Sequence, residues 1–291
     1  MNRIAGIFLI IVSAASFGTL AVIGRFAYAD GMDVTTLLFL RFTIAAILMF
    51  AWMVIRREPL PRGRVLLQLA GMGGLGYVGQ SFCYMSAIQY ASIGLVALLL
   101  YLYPVFVTVL TVIVQKKKLT SRTILALVLA TVGAALTANP EGGQLPGILL
   151  AVSAALIYAV YIIVGTDVMK QVSSVQSSAV IFASAALVFG LMTLIRGAHW
   201  PATQTGWLAV SGIALIATML PVATFLAGLK IVGATDASLL STLEPVVTVI
   251  LAAVIFGEPV LTAMLIGGAL ILAAVVITVQ RQKKPGGNEA T

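Results

Sequence analysis

The chain has 291 residues, of which 61% are hydrophobic and 9% charged; it carries a net charge of +8 and one cysteine. A soluble domain carries about 25% charge, so a mean hydropathy of +1.12 excludes a water-soluble fold. A lone Cys83 excludes an intrachain disulfide and a cysteine-built metal site, and no cofactor is expected.

Ten apolar stretches follow one another at 4–25, 35–55, 64–88, 92–114, 121–138, 146–166, 175–195, 206–229, 236–256 and 260–280. Each is close to the length that crosses a bilayer core as a helix. The first resembles a signal peptide, but nine others follow it, and it is read as retained. It carries the hydroxyls of Ser16 and Thr19 around the step Phe17-Gly18-Thr19. The second carries Arg41 about six residues, or about 9 Å, inside its outer end. Such a side chain either snorkels to the headgroups or pairs with an acid or a substrate carboxylate.

The third stretch is glycine-rich, with Gly71, Gly73, Gly74, Gly76 and Gly79, as suits close helix packing in lipid. Tyr77, Gln80 and Tyr84 stand at i, i+3 and i+7 and share one helical face. That stripe either lines a cavity or bonds between helices. Cys83 reads as a small buried hydrophobe. The fourth stretch brings Tyr101, Tyr103 and Pro104, and the sixth Tyr158 and Tyr161. The lone His199 beside Trp200-Pro201 reads as an interfacial ring rather than a metal ligand. The eighth stretch has Thr218, Pro221 and Phe225, with Pro221 expected to loosen its helix at mid-depth.

The ninth stretch places Ser238, Ser241, Glu244, Pro245 and Thr248 on a similar stripe. An acid there costs about 3 kcal/mol or more and faces a cavity or a partner. Glu244 can hold a substrate ammonium, bind a coupling proton, or stand as a neutral structural acid. Pro104 cannot donate to the carbonyl of Leu100, nor Pro245 to that of Ser241. Both prolines are hinge candidates, and the freed carbonyls need partners.

The charge pattern sets orientation. With a cytoplasmic N-terminus, that side holds Arg3, Arg56, Arg57, Arg62, Arg64, Lys116, Lys117, Lys118, Arg122, Lys170, Lys230, Arg281, Lys283 and Lys284; the other holds only Arg25 and Arg196. This positive-inside bias places both termini in the cytoplasm. The basic loops then meet anionic lipid, and no nucleic-acid partner is expected.

The chain also repeats itself. Leu99, Leu102, Pro104 and Val105 recur as Leu240, Leu243, Pro245 and Val246; Gly6-Ile7 recurs as Gly147-Ile148; Phe42, Ala45 and Ala46 recur as Phe182, Ala185 and Ala186. The offset stays at 140 or 141 residues, and the turn-rich segment 139–146 marks the boundary. The expected architecture is all-α and integral to the membrane. Residues 1–140 and 146–284 each form a five-helix repeat, with a disordered cytoplasmic tail at 285–291. Five is odd, so the second repeat is inverted, and a central cavity lies between them.

Several motifs are similar to those of the drug/metabolite transporter superfamily, EamA type. They are Phe17-Gly18-Thr19, Arg41-Phe42 in an apolar run, Leu243-Glu244-Pro245, and Gly257-Glu258 followed by Gly267. In the first half Lys116-Lys117 replaces Gly-Glu, and Tyr103 replaces the acid before the proline. Within the family the chain looks closest to bacterial aromatic amino-acid exporters of the YddG type. The resemblance implies an inner-membrane exporter of aromatic and other neutral amino acids, working by alternating access. The alternatives are export of another small metabolite or drug, or a channel-like facilitator. The deep residues offer no paired acids and no activated nucleophile, so an enzyme is not expected.

Overall fold

The computed structural model describes residues 3–114, 120–137, 144–232, 237 and 240–281. Lys116, Lys117, Lys118, Lys283, Lys284, Ser238, the segment 139–143 and the expected tail 285–291 lie outside the described residues. Among the described residues there is no β-strand. Lipid offers no partner to a backbone N–H or C=O, and a helix satisfies both within one segment.

The helices are α1 (Arg3–Gly18), α2 (Leu20–Ala29), α3 (Val34–Ile55), α4 (Gly63–Gly71), α5 (Val78–Ala87), α6 (Ile93–Leu100), α7 (Tyr103–Val114), α8 (Ser121–Thr137), α9 (Leu145–Met169), α10 (Ser174–Arg196), α11 (Gln204–Ala214), α12 (Leu220–Val232), α13 (Leu243–Phe256) and α14 (Thr262–Arg281). Among the described residues two π-helical turns, π1 (Met72–Tyr77) and π2 (Leu215–Met219), join α4 to α5 and α11 to α12. Among the described residues six segments are long and apolar enough to cross a membrane: Arg3–Ala29, Val34–Ile55, Ile93–Val114, Leu145–Met169, Ser174–Arg196 and Gln204–Leu229. Shorter apolar helices cover Ser121–Leu136, Leu243–Phe256 and Thr262–Ile277. The stretch at 64–88 is α4, π1 and α5 end to end.

Side-chain caps define several helix starts at the surface. Asp33 accepts from the N–H groups of Thr35 and Thr36 and opens α3; Ser173 and Gln176 form a capping box at α10; Thr203 caps α11. Interruptions inside the apolar segments have local causes too. The α6–α7 break falls at Tyr101–Leu102, just before Pro104, because that proline cannot continue the ladder. Pro245 lies in the first turn of α13. At Pro221 the helix is not cut. The turn before it widens into π2, and the Thr218 hydroxyl donates to the carbonyl of Ile213 at 2.8 Å. The break at Thr19 between α1 and α2 was not expected from sequence.

The helices pack in pairs: α3 with α10, α8 with α14, α1 with α12, and α9 with α5 and π1. The α6–α7 segment meets both α13 and α9, and α13 meets α1. Glycines allow the closest approaches. A Cβ on Gly6 would lie 2.7 Å from Ile231, and one on Gly147 2.8 Å from Ala91. These two contacts are related to each other by the 140–141 residue offset. A similar relation joins two polar contacts, Asp33 with His199 at 3.6 Å and Ser173 with Glu58. Gly73, Gly133 and Gly18 face the backbones of Ile181, Gly267 and Glu244. Gly24, Gly94 and Gly165 face instead the methyl ends of Met85, Met264 and Met72.

Beyond the apolar segments, carboxylates close the chain ends of helices. Asp30 accepts from the N–H groups of Ala202 and Thr203, and its hydrogen bond from the Thr203 hydroxyl holds its carboxyl below the usual range. Glu258 pairs with Arg25 and accepts from the N–H groups of Ile93 and Gly94 at 3.1 and 3.4 Å.

The glycine contacts make a paired prediction. A Cβ on Gly73 meets the Ile181 backbone, which cannot rotate away, whereas one on Gly71 meets nothing within 4 Å. Gly73→Ala is expected to cost about 1–3 kcal/mol and Gly71→Ala none, read as thermal unfolding midpoints in detergent.

Candidate functional site

The interruptions and the polar stripes converge. A cavity of about 130 Å³ is lined by Phe17, Leu20, Arg41, Tyr77, Gln80, Ser81, Tyr84, Leu100, Tyr101, Tyr103, Tyr158 and Glu244. Its walls are the α1–α2 break, α3, the π1–α5 junction, the α6–α7 break, α9 and the start of α13. Of the residues expected from sequence, Arg41, Tyr77, Gln80, Tyr84, Tyr101, Tyr103, Tyr158 and Glu244 face this one space. Ser16, Thr19, Thr218, Phe225 and Ser241 are not on its lining.

Most of those five have another place. Thr19 donates to the carbonyl of Ser16 at 2.7 Å and closes the α1 break. Thr218 holds Arg41, and Ser241 offers its backbone to Tyr101. Ser81 was missed, although it stands four residues after Tyr77 and three before Tyr84, on the same face.

Arg41 does not snorkel; it is 3% exposed. Its Nε donates to the Thr218 hydroxyl at 3.0 Å, and its guanidinium lies 4.8 Å from the centre of the Phe42 ring. Thr218 serves two partners, donating to Ile213 and accepting from Arg41. Among the described residues no carboxylate pairs with Arg41, so a buried cation faces the cavity without a counter-charge.

Glu244 stands on another wall of the same cavity. One of its carboxyl oxygens lies 3.0 Å from the Tyr101 hydroxyl. The same hydroxyl lies 2.6 Å from the carbonyl of Ser241, the one that Pro245 cannot serve. The backbone beneath Glu244 is seated against α1: Thr248 donates to the carbonyl of Gly18 at 3.0 Å, and a Cβ on Gly18 would lie 2.9 Å from the carbonyl of Glu244.

Rings connect these groups. Tyr101 meets Tyr103 at 5.9 Å, Tyr103 meets Tyr158 at 4.8 Å, Tyr158 meets Tyr161 at 6.0 Å, and Tyr161 meets Tyr77 at 5.8 Å. Tyr77 then meets Phe42 at 5.4 Å. The separations are those of edge and offset ring pairs. An aromatic wall therefore runs from the acid's neighbour, Tyr101, to Phe42, the ring under the cation. The prolines stand at its edges, with Pro104 beside Tyr103 and Pro245 beside Glu244. Pro221 is buried behind π2, and its carbonyl accepts from Ser13 at 2.8 Å. Chemically, the space offers one cation, one carboxyl, hydroxyls and ring faces.

The pattern of the EamA-like transporter family matches the chain twice, over residues 4–139 and 145–280. An uncharacterized transporter of Archaeoglobus fulgidus is 31% identical over 272 residues, covering 92% of this chain and 94% of that protein. The uncharacterized transporter YcbK of Bacillus subtilis is 23% identical over 301 residues, covering 98% and 96%. A crystal structure at 22% identity superposes with a TM-score of 0.65 over 95% of this chain and 99% of that one, a likeness of fold alone.

The hold on Arg41 can be checked directly. Thr218→Val removes the acceptor of a buried guanidinium and is expected to destabilise by about 1–3 kcal/mol. Thr224→Val is expected to be silent, since that hydroxyl bonds only to the carbonyls of Leu220 and Pro221 on its own helix. Thermal unfolding of the two variants in one detergent makes the comparison.

Proposed function

The chain belongs to the EamA-like transporter family, within the drug/metabolite transporter superfamily, and from that membership we propose that it exports neutral amino acids, aromatic ones among them, by alternating access. It is a multi-pass membrane transporter; the substrate, the direction and the cycle are our reading. One observation carries the substrate class. Arg41 and Glu244 face one cavity, are not bonded to each other, and are joined by an aromatic wall. A zwitterion with an apolar side chain suits that set: its carboxylate to Arg41, its ammonium to Glu244, its side chain to Tyr103 and Tyr158. Phosphorylated metabolites suit it poorly, since Arg41 is the sole cation among the described residues of the lining.

The architecture proposed for this cycle is ten membrane helices in two inverted repeats, residues 1–140 and 146–284. The two family matches support it, as does the packing. Exchanging the repeats turns the α1–α12 pair into α9–α5, and turns the α13–α1 pair into α6–α7 with α9. The π1 and π2 turns also exchange. Repeats related in this way give two conformations from one set of contacts, with Pro104, Pro221 and Pro245 as the candidate hinges. Both termini lie on the cytoplasmic side of a cytoplasmic membrane in this arrangement, following the basic loops.

Counterflow in proteoliposomes with a panel of labelled amino acids tests the reading. Phenylalanine and other neutral amino acids are expected to exchange saturably, and sugar phosphates not at all. Gln80→Leu and Tyr84→Phe are each expected to lower exchange about tenfold, the worth of one good contact, with unfolding unchanged. No exchange of any amino acid by the wild type refutes the substrate class. For the topology, a cysteine at Asn288 in a Cys83→Ala background is expected to react with an impermeant thiol reagent only in opened cells.

A further inference from the structure

The Tyr101 hydroxyl has two acceptors and one hydrogen. It lies 2.6 Å from the Ser241 carbonyl and 3.0 Å from Glu244. A carbonyl can only accept, so the hydrogen on the shorter contact is Tyr101's own. The contact to Glu244 is then satisfied only if Glu244 brings a hydrogen. With a protonated carboxyl all three groups are served: Glu244 donates to Tyr101, and Tyr101 donates to Ser241. With an ionised carboxylate the stronger, charged acceptor draws the Tyr101 hydrogen, and the Ser241 carbonyl loses it.

We infer that Glu244 is a proton-exchange site of the transport cycle, and that Tyr101 is the positioning residue through which its proton state reaches the helix breaks. Tyr101 sits at the α6–α7 break, and Ser241 lies two residues before α13. The hydrogen bond between them spans the interruptions associated with Pro104 and Pro245. Protonation fixes this brace, and release of the proton to the cavity frees it. The other charged or titratable groups facing the space are Arg41 from α3, Tyr77 and Tyr84 from π1 and α5, Tyr103 from α7 and Tyr158 from α9. The α1–α2 wall contributes Phe17 and Leu20, which carry neither charge nor proton.

A consequence follows if the amino-acid reading holds. One carboxyl accommodates a proton or an ammonium, not both, so substrate leaves as a proton enters. The proton site itself does not depend on that reading, and its test uses no substrate. Infrared difference spectra between alkaline and acidic buffer are recorded on the full chain in lipid nanodiscs. We expect a protonated-carboxyl C=O band that Glu244→Gln removes. In Tyr101→Phe the band moves in frequency, and its pH midpoint is displaced by about one unit, a tenfold change in proton affinity. Glu244→Asp, which withdraws the carboxyl by one methylene, gives the same displacement should Tyr101→Phe fail to fold. Spectra identical in wild type and Glu244→Gln overturn the proton site. A band that Glu244→Gln removes, but that neither other variant moves, overturns the role of Tyr101. Failed counterflow with an intact band overturns the amino-acid reading alone.

Discussion

Inside lipid no backbone N–H or C=O can be left to water, and the whole arrangement follows from how this chain meets that demand. Unbroken helices such as α9 and α10 meet it within themselves. The segments that are broken borrow a side chain from a neighbour instead. Thr248 of α13 serves the carbonyl of Gly18, Ser13 of α1 serves that of Pro221, and Tyr101 serves that of Ser241. Each borrowed bond is also a tie between two helices. The interruptions thus hold the molecule together where they open it, and the cavity lies among the ties.

One cation and one ionisable acid persist in this setting because each is held in a different way. Arg41 has a ring beneath it and a hydroxyl at its Nε. Glu244 has a phenol. Neither has the other, and a direct pair would have filled the cavity with its own salt bridge. Keeping the Arg41 cation without a salt bridge costs stability. Placing tyrosines between them reduces that cost without closing the space.

Much of this was legible in the residues. Polar groups at helical spacing in an apolar run, as with Tyr77, Gln80 and Tyr84, have few places to go, and the acid beside Pro245 has fewer. The carbonyl of Ser241 could be named as needing a partner; which residue would supply it could not, because Tyr101 is 140 residues away. The same limit applied to Arg41: periodicity placed it near one end of its span, where snorkelling was open, and only the packing of π2 against α3 brings Thr218 to it. The break at Thr19 was hidden because neither Gly18 nor Thr19 forbids a helix. Thr218, a candidate for the cavity itself, does not line it. Its hydroxyl instead holds Arg41, which does.

The glycine contacts divide the molecule mechanically. At Gly73 and Gly133 backbone rests on backbone, a fit that a shift of a few tenths of an ångström would spoil. At Gly24, Gly94 and Gly165 the neighbour is the tip of a methionine, which has three rotatable bonds and a soft sulfur. Such a tip can follow a passing helix by changing rotamer, so the energy varies little along the path. The first kind of seam behaves as a weld and the second as a bearing. The bearings lie between α2 and α5, between α6 and α14, and between α9 and π1, all beside segments that line the cavity. Load applied at the cavity would therefore be relieved by sliding at these three seams, with the α8–α14 and π1–α10 welds as the fixed frame.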